Sequence, residues 1–280
     1  MIIWIASYPK SGNTWVRAFL TAYYYCNDGI FDPKKLIKIE DYPNKQFFKE
    51  KVKEGEIHKH WEESQQNLCK EKKVKFLKTH NSLIKAFGND FTSPKYSLGV
   101  IYIIRDPRNL ITSLKNHNNF ESYEEALKMM QNDNAILSDY KHTKNYAKTT
   151  ILNSWRINYQ SWLQNEYYKK KMIKYEDMLK DPETIFRDLV IFINTICRNN
   201  QSVNKNKLKK AIESTNFDNL QKIEENGEFT ENVFSQKDKT KIKFFYLGPK
   251  NNWKDKLDQN MIDKMNTYYK EDLRKFSYEI

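Results

Sequence analysis

Cysteine is scarce in this chain. Its 280 residues hold three, Cys26, Cys69 and Cys197, far apart and with no C-x-x-C pair. An odd, scattered set argues against a disulfide framework or a cysteine-built zinc site and fits a reducing compartment. No stretch approaches 18 uncharged apolar residues, so no transmembrane helix is expected. The opening Met1-Ile2-Ile3-Trp4-Ile5-Ala6 has no basic segment ahead of its apolar run, so no secretory leader is expected and a cytoplasmic protein is. Linkers rich in Gly, Ser or Pro are missing, as are internal repeats. One domain over residues 1–280 is therefore expected. The Walker A pattern G-x-x-x-x-G-K-[ST] is absent as well.

What is present is enough apolar material for a core: 39% of residues are hydrophobic and 14% aromatic, which excludes a disordered chain. The net charge of +12 favours an anionic partner such as a nucleotide, nucleic acid, anionic lipid or acidic sugar. Its lysines are interspersed with Glu and Asp, as on a solvated surface. Without a zinc pattern, an RNP-like motif or a clustered basic helix, no nucleic-acid partner is expected.

Apolar periodicity lays out the elements. Ile2 to Ala6 reads as a buried strand, 7–12 as a turn-rich loop, and Asn13 onward as a helix with Trp15, Phe19, Leu20 and Tyr23 at helical spacing. Further strands are read at 74–79, 99–104 and 171–175. Asp106 and Pro107 look like the N-cap and first residue of a helix reaching about His117. Other helices are read around Glu124–Met130, through Trp155, Tyr159 and Trp162, over 182–196 and near 261–276. The alternation predicts an α/β fold: a single domain with a central, mostly parallel sheet flanked by helices, opening on a P-loop-like phosphate-binding strand–loop–helix.

That opening is the most informative segment: Ser7-Tyr8-Pro9-Lys10-Ser11-Gly12-Asn13-Thr14-Trp15. A loop from strand to helix gathers backbone N–H groups at the positive end of the helix dipole. Gly12 permits close approach of a ligand, Lys10 adds a cation, and Ser11, Asn13 and Thr14 add donors. Downstream, Arg105 ends a strand and Ser113 follows about two helical turns later, so both can meet on one phosphate. Arg108, beside them, reads as a surface residue. Lys78-Thr79-His80 ends another strand, and alternation places Lys78 and His80 on one face. An imidazole there suits a general base, and the fixed cations suit charge building on a transferred group and its leaving phosphate.

Tyr8-Pro9-Lys10-Ser11-Gly12-Asn13-Thr14-Trp15 resembles the 5′-phosphosulfate loop of the nucleotide-dependent sulfotransferases. That resemblance implies that Lys10 meets the bridging oxygen, that Ser11, Gly12, Asn13 and Thr14 hold the 5′-phosphate, and that Trp15 packs on the adenine. Arg105 and Ser113 resemble the family's 3′-phosphate motif, with Ser113 also carried among the catalytic residues. Tyr175-Glu176-Asp177 and Thr215-Asn216-Phe217 resemble segments whose aromatics reach the base. The loop from Tyr246 to Lys254 matches only in part, at Gly248, Trp253 and Lys254. Lys250 is the candidate for a cation missing there. Lys78-Thr79-His80 is similar to the family's catalytic segment, with His80 as base and Lys78 beside the transferred group.

The resemblance implies 3′-phosphoadenosine 5′-phosphosulfate as co-substrate, 3′-phosphoadenosine 5′-phosphate as product, no metal, and a small-molecule, lipid or carbohydrate acceptor with a hydroxyl or amine. His58, His60, His117 and His142 lack such context. Residues 27–72 and 118–148 carry no motif that the resemblance assigns, and acceptor choice is expected there. A nucleotide-dependent small-molecule kinase is the alternative, disfavoured by the absent G-K-[ST] and by Lys-Thr-His.

Overall fold

Every residue of the first strand, β1 (Ile2–Ser7), is buried, because helices cover both faces of the sheet it runs through. Side-chain alternation sends Ile2, Trp4 and Ala6 into one apolar core and Ile3 and Ile5 into another. The computed structural model describes residues 1–138, 140, 144–229, 231, 233–234 and 240–280, with the backbone alone for 233 and 234. His142 lies outside the described residues.

Four strands join β1: β2 (Glu40–Asp41), β3 (Lys75–Thr79), β4 (Ser97–Ile104) and β5 (Lys169–Lys174). Their order is β2-β3-β1-β4-β5, and every neighbouring pair is parallel. The expected single α/β domain with a parallel sheet is met. Sequence reading overlooked β2, which is two acidic residues long and has no apolar pattern to reveal it. The β2–β3 register pairs Asp41 with Lys78.

Helix α1 (Asn13–Leu20) follows β1 and packs Val16 and Phe19 on the Ile3/Ile5 face. Helices α2 (Trp61–Cys69) and α3 (Pro107–Asn118), the latter following β4, pack on the Trp4 face. Neighbouring strands thus send their chains to opposite faces at their carboxyl ends. A crevice opens at such a switch point. The strand registers Ala6↔Thr79, Ser7↔Ile103 and Ile104↔Lys174 bring the ends of β1, β3, β4 and β5 level around it.

Further helices are α4 (Tyr123–Gln131), α5 (Trp155–Leu163), α6 (Tyr175–Lys180), α7 (Pro182–Ile196), α8 (Lys205–Ser214), α9 (Phe217–Glu225), α10 (Gln259–Tyr268) and α11 (Lys270–Lys275), and a single helical turn spans Trp253–Lys256. Beyond shifts of one or two residues at element ends, two of the elements read from the sequence differ. Tyr175 starts α6 instead of closing β5, since Glu176 and Asp177 in the first turn favour a helix N-terminus. The expected final helix is two helices, α10 and α11, which meet at Tyr269.

Candidate active site

The loop after β1 is shaped by two residues with positive φ, Lys10 at 66° and Gly12 at 101°. Gly12 is required twice over. Its φ disfavours L side chains, and a Cβ there would lie 2.6 Å from Tyr175 Cδ2. Asn13 braces the loop from within: its amide donates to the Ile5 carbonyl (3.0 Å) and to Ser7 Oγ (3.1 Å). Both amide hydrogens of that side chain are therefore committed to the loop, so donation from Asn13 to a ligand falls to its backbone N–H, while its Oδ1 is buried without a partner. Ser11 Oγ and Trp15 Nε1 are buried without a partner.

At the end of β4, Arg105 donates to the Lys10 carbonyl (2.9 Å) and to Ser113 Oγ (3.1 Å). Its guanidinium lies 4.1 Å from the Tyr175 ring centroid, and its Nε is buried and unpartnered. The Arg–Ser spacing thus brings the two side chains together as expected. Trp15 and Arg105, whose buried donors are left over, line one cleft, and such donors fit a phosphorylated nucleotide, whose oxygens are acceptors.

Arg108 is not a surface residue. It is fully buried, chelated by Asp106 (3.0 and 2.7 Å), bonded to Asn266 (2.9 Å) and stacked 4.1 Å from Trp253. A buried guanidinium persists when its donors are satisfied, and here they brace the α3 N-terminus against the end of the chain.

These parts surround a cavity of about 590 Å³ at the switch point. Lys10, Gly12, Asn13, Thr14, Trp15, Lys78, His80, Arg105, Ser113, Tyr175 and Phe217 all reach its wall. Three expected residues do not. Ser11 is buried beneath the loop. Thr215 is buried and gives its hydroxyl to the Ala211 carbonyl at 2.6 Å. Lys250 is exposed and lies outside the wall. Asn251, next to it, turns inward, spanning Thr112 Oγ1 (2.6 Å) and the Asn109 carbonyl (2.6 Å), with Ser113 Oγ at 3.5 Å.

His80 Nδ1 is 2.7 Å from the Ser7 carbonyl, to which it can only donate. Nε2 is then the bare nitrogen. Burial, followed by the charge of Lys78, pushes the imidazole down to about 3, so it is neutral near pH 7. Lys78 is held by Asp41 at 3.3 Å. Lys10 places its ammonium 3.8 Å from the Phe244 ring centroid and 3.4 Å from the Phe244 carbonyl. Burial first, then Arg105, lowers it to about 7.

Three groups escaped sequence reading. His117 lines the cavity one turn beyond Ser113, with its ring edge-on to Phe244. Its own burial and the nearby Lys10 push it down to about 3. Its helical spacing from Ser113 was the available clue. Glu224 is buried in α9 and takes the backbone N–H groups of Phe244 (2.6 Å) and Phe245 (2.8 Å), fixing the aromatic wall. Glu231 pairs with the buried Arg17 and lies 3.5 Å from Thr14 Oγ1. Burial works to raise its carboxyl, but Arg17 and Lys78 hold it below the ordinary range. The other two described histidines pack elsewhere: His58 on Phe87 and Trp61, and His60 on Phe48.

The wall also takes Asp41 from the unassigned stretch 27–72, and Asn118, Met129, Leu137 and Lys148 from 118–148. Among the described residues no helix is long and apolar enough to cross a membrane.

The fold is similar to mouse sulfotransferase SULT7A1 complexed with PAP, with TM-score 0.60 and 18% identity over 97% of this chain and 83% of that one. It is also similar to retinol dehydratase in a complex with retinol and PAP, with TM-score 0.61 and 16% identity over 97% and 81%. In sequence, the luciferin sulfotransferase of Photinus pyralis is 20% identical over 98% of this chain and 72% of that protein. The sulfotransferase domain model matches residues 2–277. With that match running over nearly its whole length, the chain belongs to the sulfotransferase family and is a transferase enzyme.

Proposed function

We propose that this sulfotransferase works as one domain and moves a sulfuryl group from 3′-phosphoadenosine 5′-phosphosulfate to a hydroxyl or amine of a small-molecule, lipid or carbohydrate acceptor, with His80 as general base. The observation that carries the reading is the His80–Ser7 hydrogen bond, which fixes Nε2 as the basic nitrogen of an imidazole that burial keeps neutral, in a cavity shared with Lys10 and Lys78. When bound, the co-substrate supplies the activated sulfuryl group. Thr14 and the loop N–H groups hold its 5′ end, Arg105 and Ser113 its 3′-phosphate, and Trp15, Tyr175 and Phe217 its base.

His80 Nε2 takes the acceptor's proton as the acceptor attacks. Lys10 and Lys78 stabilise charge that grows on the bridging and equatorial oxygens, where a fixed cation is worth most. Acceptor choice falls to Asp41, Met129, Leu137, His117 and the Phe244–Tyr246 wall.

The test has two arms. Calorimetry should show 3′-phosphoadenosine 5′-phosphate binding far more tightly than adenosine triphosphate. An acceptor screen with the phosphosulfate should then give a product heavier by one sulfuryl group. Preference for the triphosphate would favour a kinase and overturn the proposal.

A further inference from the structure

Residues 276–278, beyond the last helix, reach back to the turn that carries the nucleotide-binding side chains. Helix α11 ends in a Schellman motif: Ser277 takes φ 54°, its N–H bonds the Arg274 carbonyl (3.0 Å), and Tyr278 N–H bonds the Leu273 carbonyl (2.8 Å). Ser stands where glycine is usual, so the reversal is imposed by its surroundings. Phe276 is buried against Trp155 and Tyr159, and its carbonyl takes Lys174 Nζ at 2.9 Å. Lys174 Nζ also lies 4.8 Å from the Tyr278 ring centroid.

The reversal delivers the Tyr278 hydroxyl to Glu176 Oε2 at 3.1 Å, while Glu176 Oε1 accepts the backbone N–H of Asp106 at 3.1 Å. Glu176 follows Tyr175, and Asp106 follows Arg105. One carboxylate therefore ties together the two turns whose preceding residues stack on each other at 4.1 Å. Burial raises the Glu176 carboxyl above its ordinary range while Arg105 opposes the rise, so each donor to this carboxylate favours its ionised, bridging form.

We propose that Tyr278 is a positioning residue for the 3′-phosphate end of the nucleotide site, acting through Glu176 on the relative placement of Arg105 and Tyr175. The proposal rests on the reading that Arg105 meets the 3′-phosphate. Tyr278 touches no ligand itself. Loss of its hydroxyl lets the Tyr175–Glu176 turn drift from the β4 end, and the contact most sensitive to that drift is the one shared by Arg105 and Ser113.

The experiment compares Tyr278→Phe with the parent chain by calorimetry, using 3′-phosphoadenosine 5′-phosphate and adenosine 5′-phosphate as ligands. The phenyl ring keeps the Lys174 contact and the packing, so the variant should fold, which a thermal melt verifies. Affinity for the bisphosphate should fall on the order of fivefold, the scale of one net hydrogen bond, while the monophosphate changes less than twofold. Glu176→Gln should reproduce that split, and the double variant should be no worse than Glu176→Gln alone, because both act through one link. Equal losses for both ligands, no loss for either, or additive losses in the double variant would overturn the proposal. If the parent chain itself shows no preference for the bisphosphate, the 3′-phosphate reading fails and the proposal falls with it.

Discussion

His80 Nδ1 and the Ser7 carbonyl, 2.7 Å apart, join the end of β3 to the end of β1. The imidazole is oriented by the same loop that is expected to grip the donor. An Asn side chain can make the same donation to Ser7 but offers no basic nitrogen. His80→Asn should therefore keep affinity for 3′-phosphoadenosine 5′-phosphate within about twofold and lose on the order of a hundredfold or more in turnover. Calorimetry and turnover on one sample decide it. Parallel losses in both would remove His80 from the role of base.

The same residue sets an expectation for pH. A base titrating at about 3 is already unprotonated at pH 5, so turnover should show no acid limb from His80 between pH 5 and 8. A limb near the unperturbed histidine value of about 6.5 would mean that His80 is better solvated during turnover than its burial indicates.

Lys10 gives the complementary alkaline behaviour. With a value of about 7 in the free protein, most of it is neutral at pH 8. A bound anion favours the ammonium and raises that value. Binding 3′-phosphoadenosine 5′-phosphate at pH 8 should thus take up on the order of one proton, seen as a calorimetric enthalpy that changes with the ionisation enthalpy of the buffer. At pH 6 Lys10 is already charged and its uptake should vanish. Lys10→Ala should abolish the uptake at pH 8. Equal enthalpies in phosphate and Tris at pH 8 would show that Lys10 enters the complex in its original protonation state.

Glycine at position 12 carries a further expectation. Alanine there meets the left-handed φ and the Tyr175 ring at once. The φ alone costs roughly 1–2 kcal/mol. Gly12→Ala should lower the melting temperature and weaken nucleotide binding together, because Tyr175 must move and Arg105 rests on it. A variant that binds and melts as the parent does would show that the loop relaxes at no cost.

How much of this was legible beforehand depended on sequence separation. The loop after β1, the Asp106 cap and the Arg105–Ser113 pair are local, so residue types and their spacing pointed to them. Glu224 and Glu231 lie more than 200 residues from the loop after β1, and no periodicity ties an acidic residue to a cation that far away. Arg108 was misread because charge suggests exposure, whereas its partners Asn266 and Trp253 come from the far end of the chain. Lys250 was proposed to fill a missing cation, but the chain turns at Gly248, whose φ is 52° and against which Phe217 packs. Asn251 takes the inward place instead.

Glu231 carries the last prediction. Its carboxylate sits 3.5 Å from Thr14 Oγ1, on the loop expected to receive a phosphosulfate, so it repels the ligand that the loop attracts. It also neutralises Arg17, whose side chain is only 3% exposed. Replacing Glu231 by Gln separates the two effects. For a negative charge on the order of 10 Å from a bound anion, the repulsion is worth roughly 1–2 kcal/mol at an effective dielectric of about 20. Affinity for 3′-phosphoadenosine 5′-phosphate should therefore rise about fivefold or more, and the salt dependence of binding should steepen as Arg17 becomes available to the anion. Stability should move the other way, because a buried guanidinium without its partner is costly, and the melting temperature of the free protein should fall. Isothermal titration and a melt of the same preparation read both signs. If affinity and stability fall together, the Arg17–Glu231 pair braces the site as a structural unit, and the repulsion has no weight in binding.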